Sequence, residues 1–248
     1  MARKLTFLLT DRTGWKLVGR TALALGGFFL WRNFGGFLSF LGAAAALAFA
    51  YFWETEERKM LRRTFLALAV IGFIGFGARD FLSVAFFPVF AVFWTAACFA
   101  AFGIVRFIFH DRRLVYGFLN TLVFFLVFLL FFHFGRPGGF WFIGTTLFFT
   151  IVFLLGETFR FLEACESRRS FLQTLAAGFI LIEFAWISLL LPLGFWNAAL
   201  FLTLVFVVLR ETIIARFKGE LNLAFFLKEL AIMLTLGLII FAASTWTV

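Results

Sequence analysis

The stretch GETFRFLEACESRRSFLQTLAAGFILIEF, residues 156–184, contains the layout of the whole chain in one place. It begins at the end of one apolar run, continues through a charged connector, and enters a second apolar run that carries the acid Glu183. Each run approaches the roughly 20 residues that a helix needs to cross about 30 Å of hydrocarbon. The stretch therefore predicts two membrane-spanning helices joined by a short polar connector.

The overall composition points to lipid as the solvent of most side chains. Hydrophobic residues make up 64% of the 248 residues and charged residues only 14%, and the mean hydropathy is +1.06. A soluble core of this size has too little interior for so many apolar side chains. Because the apolar runs leave little chain for a soluble domain, we expect a single transmembrane domain over residues 1–248.

The order of apolar runs predicts an all-α, polytopic integral membrane protein with about nine transmembrane helices. The runs are continuously apolar instead of alternating, which favours helices, because each helix satisfies its own backbone hydrogen bonds in lipid. The first run is short and contains Arg20, so an interfacial location for it would leave eight spans. The predicted spans are 17–31, 38–53, 65–77, 81–105, 114–134, 140–155, 171–191, 195–209 and 225–243.

The basic residues lie mainly on one side of these spans. The N-terminal segment through Arg20 and the long charged connectors hold nearly every Lys and Arg, whereas the opposite side has only Arg32, Arg79 and Arg136. This positive-inside pattern predicts a multi-pass protein of the cytoplasmic (inner) membrane, with the N-terminus in the cytoplasm and the C-terminus outside. It also accounts for the net charge of +9 without a nucleic-acid partner.

Phe-Leu pairs recur at even spacing along the chain. The pairs at 65, 118 and 171 are 53 residues apart, and a fourth follows at 226. Each opens the apolar run that comes after a charged connector, which predicts tandem helical-hairpin repeats of about 53 residues. Their bounds would be 17–53, 64–106, 114–160 and 171–216, followed by a final helix at 225–245. Chance matching in a chain with 44 phenylalanines is the alternative.

Glu183 is the one acid that this assignment places deep in hydrocarbon. A carboxylate there must take up a proton, pair with a cation or face a hydrated cavity, because its cost in lipid is high. A proton-binding or cation-binding role is one interpretation of Glu183. The alternative is a protonated acid that is hydrogen-bonded to a neighbouring helix, or one near enough to the outer interface to reach water.

Further polar residues follow the Phe-Leu pairs at equivalent positions, in FLNTL, FLQTL and FLKEL. If the repeat is real, they lie at one level just inside the cytoplasmic interface and line a common vestibule that binds a solute. The alternative is ordinary hydrogen bonding between helices, worth about 1 kcal/mol per contact in lipid, with the lysine extending towards the interface. The residues are Asn120, Gln173, Lys228 and Glu229.

The remaining motifs indicate little chemistry. A site for anionic lipid headgroups is predicted at Arg112, Arg113, Arg168 and Arg169, with a purely topological role as the alternative. Two cysteines and two histidines are too scattered to form a metal or haem site, so we expect no cofactor. No nucleophile, acid/base or phosphate-loop pattern is present, which favours a protein that is not an enzyme.

Two hypotheses of function remain from the sequence. The first is a permease or channel that handles a small solute, ion or lipid, with Glu183 and the polar level lining its path. The second is a non-catalytic membrane subunit that scaffolds a larger membrane complex. The expected partners are membrane lipids and either other membrane subunits or further copies of this chain.

Overall fold

The structure is a computed structural model that describes residues 12–34, 36–52, 61–77, 86–105, 111–134, 140–163 and 168–244. Within these ranges the chain forms nine helices and no strand, which confirms the all-α fold class. Both chain ends, on which the predicted orientation depends, lie outside the described residues. The helices are α1 (Arg12–Phe34), α2 (Gly36–Phe52), α3 (Arg62–Gly77), α4 (Phe86–Val105), α5 (Arg112–Phe134), α6 (Phe140–Glu163), α7 (Arg168–Leu190), α8 (Phe195–Lys218) and α9 (Leu223–Ala242).

Six of these helices, α4 to α9, contain apolar segments of at least 18 residues, which is long enough to cross a membrane. The first three differ in length or composition. Helix α1 has 23 residues but carries Lys16, Arg20 and Arg32, while α2 has 17 residues and α3 has 16. The apolar helices indicate a membrane-embedded protein, and nine as the number of spans stays a prediction.

The chain divides into two compact units, Met1–Val123 and Phe124–Val248. In the first unit, α1 packs against α2, α3 and α4, and α3 also packs against α4. In the second unit, α6 packs against α7 and α8, and α8 also packs against α7 and α9. The single transmembrane domain expected from the sequence stays a prediction.

An aromatic cluster forms the core of the first unit. The buried ring of Phe28 lies 4.9 Å from Trp94, 5.0 Å from Phe73 and 5.1 Å from Phe76, measured between ring centroids. The rings meet edge-on or tilted, which is the favoured arrangement for aromatic pairs. The cluster therefore joins α1, α3 and α4 through side chains that are large and specifically oriented.

Trp94 has a second role, because its indole N–H must find an acceptor in the apolar interior. It donates to the backbone carbonyl of Leu68 at 2.9 Å. Gly72 makes this approach possible, since a Cβ atom there would lie 2.9 Å from the Trp94 ring. The same close packing joins α1 to α2, where a Cβ on Gly27 would lie 2.9 Å from that of Ala46.

In the second unit the later half of α5 packs against α8. Phe124 stacks on Phe206, with ring centroids 3.8 Å apart and planes 16° from parallel. At the start of α8, the ring centroids of His133 and Phe195 lie 5.3 Å apart. All residues from 124 to 132 are buried.

Helix α8 is longer than the span 195–209 predicted from the sequence. It ends at Lys218, where Gly219 adopts a left-handed backbone conformation with φ of 71°. The N–H of Glu220 then donates to the carbonyl of Ala215 at 2.9 Å. This is the usual glycine termination of a helix, and it leaves a connector of only residues 219–222.

The Phe-Leu pairs lie near the starts of α3, α5, α7 and α9. In α3, α7 and α9 the phenylalanine is the fourth residue of the helix and the leucine is exposed. In α5 the phenylalanine is the seventh residue, and Leu119 is fully buried. Three pairs thus share one phase and the second departs from it, so the internal repeat stays a prediction.

Candidate functional site

Three contacts in the second unit establish how α6 to α9 are aligned along their lengths. A Cβ on Gly178 of α7 would lie 2.9 Å from a side-chain methyl of Val152 in α6. Phe201 of α8 lies 6.2 Å from Phe184 of α7 and 5.4 Å from Phe241 of α9, between ring centroids. Consecutive helices run antiparallel, with a rise of about 1.5 Å per residue. Each polar residue can therefore be assigned a depth.

This alignment brings polar side chains of four helices to one depth, within about one helical turn. Gln173 of α7 is level with Glu157 of α6 and Thr212 of α8, and Glu229 of α9 is also level with Thr212. We call this set the polar layer. Its members are Glu157, Thr158, Gln173, Thr174, Arg210, Glu211, Thr212 and Glu229.

Most of the polar layer is buried. The exposed fraction is 6% for Glu157, 7% for Arg210 and 9% for Glu229, and Thr158 and Thr174 are also buried. Removing such groups from water costs free energy unless hydrogen bonds replace the lost hydration. The partners of each group therefore decide whether it is structural or available to a ligand.

Several members have partners within their own helix. Arg210 donates from Nε and Nη2 to Oε1 of the adjacent Glu211, at 3.0 and 2.7 Å. The hydroxyls of Thr158 and Thr212 donate to the carbonyls four residues earlier, at 2.9 and 2.7 Å. These three hydroxyl and guanidinium groups thus have a structural explanation.

Glu229 and Gln173 differ from these members. Glu229 is 9% exposed, and within the described part of the chain no hydrogen bond or ion pair reaches its carboxylate. The Oε1 atom of Gln173 is buried and accepts no hydrogen bond from any described residue. Both residues lie on helices that pack against α8, and both offer oxygen atoms that have no described donor.

A capping hydrogen bond fixes the start of α9, and the position of Glu229 along the helix follows from that start. The side-chain oxygen of Asn222 accepts a hydrogen bond from the N–H of Phe225 at 2.7 Å and so caps the helix. Glu229 follows seven residues later and faces the packed side, whereas its neighbour Lys228 is exposed. Adjacent residues on a helix point about 100° apart, which explains the difference.

Asn120, which the sequence also predicted for the common vestibule, is not a member of the polar layer. Asn120 is fully buried but belongs to the first unit. Its neighbour Thr121 donates to the carbonyl of Gly117 at 2.9 Å, within α5. By the alignment above Gln173 and Glu229 lie at similar depths, and a common vestibule that includes Asn120 stays a prediction.

Glu183 lies apart from the polar layer. It is exposed, on a face of α7 shared with the exposed residues Phe179 and Trp186. No hydrogen bond or ion pair to Glu183 is found among the described residues. Its carboxylate thus points away from the helices that α7 packs against, and does not join Gln173 or Glu229.

The predicted headgroup site is only partly described. Arg112 is half-buried and Arg113 is exposed at the start of α5. Asp111 caps this helix by accepting a hydrogen bond from the N–H of Leu114 at 3.1 Å. Arg168 and Arg169 begin α7, but their side chains lie outside the described residues. Headgroup binding therefore stays a prediction.

The burial of Glu157 and Arg210 does not follow from the sequence, because the predicted spans end just before them, at residues 155 and 209. The recurrent Glu-Thr pairs at 157 and 211 were a usable signal, since both fall inside long helices. Cys98 is a buried free thiol, and Cys165 lies outside the described residues. No three His, Cys, Asp or Glu side chains in the described ranges could together hold a metal ion.

Comparisons of the chain with protein families, curated proteins and solved structures found no match.

Proposed function

We propose that the protein is a multi-pass membrane permease or channel that handles a small solute or ion, with the polar layer as its binding level. The observation that supports this proposal is that two side chains of the layer have oxygen atoms without a described donor. They are Glu229, which is 9% exposed, and Gln173, which is half-buried with its Oε1 atom fully buried. Ionisable and amide groups inside apolar helices are costly. A ligand that supplies the missing partner would repay that cost, whereas a purely structural role requires a partner within the protein.

The charge of the polar layer favours a cation or a proton over an anion. Its buried and half-buried charged members are the carboxylates Glu157, Glu211 and Glu229 and the guanidinium of Arg210, whereas the cations Arg160 and Lys228 at a similar depth are exposed. Arg210 is already engaged by Glu211. Carboxylate and amide oxygens are also the ligands that hard cations prefer.

The proposal includes a topology. All nine helices cross or enter the cytoplasmic membrane as tandem hairpins, with the N-terminus in the cytoplasm and the C-terminus outside. The positive-inside distribution of Lys and Arg supports this orientation. The polar layer would then lie a few residues inside the cytoplasmic boundary, where a solute could enter from water.

The test is flux through the purified full-length protein in liposomes, with protons and monovalent cations as the first probes. Glu229→Gln and Gln173→Leu are expected to reduce the flux at least tenfold without loss of protein. Glu220→Gln is the matched control, because Glu220 is an exposed acid in the connector before α9. Equal flux through all four proteins would remove the polar layer from the path.

A second candidate function is a non-catalytic membrane subunit of a larger complex. The observation in its favour is the exposure of α9, in which only Glu229 and Gly237 are buried. Large apolar side chains such as Leu234 and Leu238 are exposed on its other sides. Mild-detergent purification with mass spectrometry separates the two functions. A protein partner at fixed stoichiometry supports the subunit, and a protein that is pure and active alone supports the permease.

A further inference from the structure

The exposed face of α7 carries a stripe of residues at alternating spacings of four and three. Every residue of this stripe is exposed. Such a spacing keeps a stripe facing a parallel partner helix over several turns, as in a coiled coil. We call this stripe the α7 seam. It consists of Leu172, Ala176, Phe179, Glu183, Trp186 and Leu190.

The seam is apolar except at Glu183. The apolar segment of α7 runs from Phe171 to Leu190, and Glu183 lies about 10 Å from its end at Leu190. A glutamate side chain is too short to reach water over that distance along the helix. Acyl chains offer it no hydrogen bond, so lipid alone is a poor neighbour for this face.

We propose that a second copy of this chain covers the α7 seam, so that the protein forms a dimer about an axis along the membrane normal. Two copies share one topology, and their α7 helices would therefore run parallel. Symmetry then brings Glu183 of each copy to the same depth, at the centre of the contact. No other partner is guaranteed to present a hydrogen-bonding group at that depth.

The chemistry of the contact is self-complementary. Two neutral carboxyl groups can each donate to the other, which satisfies both within the apolar interface. Hydrogen bonds between helices stabilise association in lipid. Ala176, about two turns from Glu183 on the same stripe, is small and lets the two helices approach closely. This inference is independent of the proposed transport, because the seam and the polar layer face different sides of α7.

The first test is disulfide crosslinking in native membranes. Single cysteines are placed at Ala176, Phe179 and Trp186 in a Cys98→Ala, Cys165→Ser background of the full chain. Each is expected to crosslink to its own symmetry mate under mild oxidation, since a parallel seam brings identical positions within the reach of a disulfide. Leu238→Cys is the control, because Leu238 is equally apolar and exposed on α9 but is not on the seam.

The second test measures the dimer fraction of the otherwise unmodified chain in liposomes, by single-molecule photobleaching at increasing dilution. Glu183→Gln keeps a group that donates and accepts, so dissociation should change by less than about threefold. Glu183→Leu should weaken the dimer about tenfold or more. A monomeric wild-type protein, crosslinking at Leu238 instead of the seam, or a different protein on the seam would each overturn the proposal. A monomer that still transports would leave the permease proposal standing.

Discussion

Replacing Glu229 with leucine should make the protein more stable and inactive at the same time. Glu229 is 9% exposed on α9 and has no described hydrogen-bond partner. A buried polar group without a partner costs about 1–3 kcal/mol. Leucine removes that cost and fills a similar volume, so no large cavity forms. We therefore expect the free energy of unfolding to rise by about 1–2 kcal/mol.

The assay is reversible unfolding in mixed micelles, followed by tryptophan fluorescence and compared among three variants. Glu229→Gln keeps the polar group and should change the free energy of unfolding by less than about 0.5 kcal/mol, as should the exposed control Glu220→Leu. Flux in liposomes is measured on the same samples. A stability gain with loss of flux is the signature of a functional group kept at a cost in stability.

The contrary result is a fall in the free energy of unfolding by about 1 kcal/mol or more in Glu229→Leu. That result would mean that the carboxylate has a structural partner. The polar layer would then be a set of helix-to-helix contacts, and the permease proposal would lose its main support.

Two predictions concern the first unit and use the same unfolding assay. Gly27→Ala should lower the free energy of unfolding by about 1–2 kcal/mol, because its Cβ would lie 2.9 Å from that of Ala46. The control Gly26→Ala, with nothing within 4 Å of its Cβ, should be neutral or stabilising by up to about 1 kcal/mol. Equal effects of the two substitutions would contradict the close packing of α1 on α2. Trp94→Phe should lower the free energy of unfolding by about 1–3 kcal/mol, because it removes the hydrogen bond to the backbone carbonyl of Leu68 and leaves a cavity. An unchanged free energy of unfolding would mean that this hydrogen bond contributes nothing to stability.

The existence of the helices was predictable, because a continuous apolar run of membrane length has few alternatives in lipid. Their ends were less predictable. The sequence predicts a span that ends at residue 209, where Arg210 interrupts the continuous apolar run, but α8 continues to Lys218. A helix that leaves hydrocarbon can continue in the interface, and its end is then set by local signals such as the left-handed Gly219.

The side on which each polar residue lies was not predictable. Helices that are apolar all round have no periodicity that separates a buried face from an exposed one, so nothing in the sequence distinguished buried Glu229 from exposed Glu183. The similar depth of Gln173 and Glu229 was predictable from the aligned FLQTL and FLKEL segments. Packing alone determined that Arg210, one residue beyond an apolar run, is buried.

The most direct test of the central claim is whether water-soluble molecules reach the polar layer. Gln173→Cys and Glu229→Cys, each in a Cys165→Ser background, are treated in liposomes with a charged, thiol-reactive reagent. The native thiol of Cys98, which is fully buried, is the internal control for an unreachable site. A binding level open to solute predicts reaction at residues 173 and 229, slowed by the transported ion, while Cys98 stays unmodified. If both new thiols are as inert as Cys98, the polar layer is closed packing and the account is wrong.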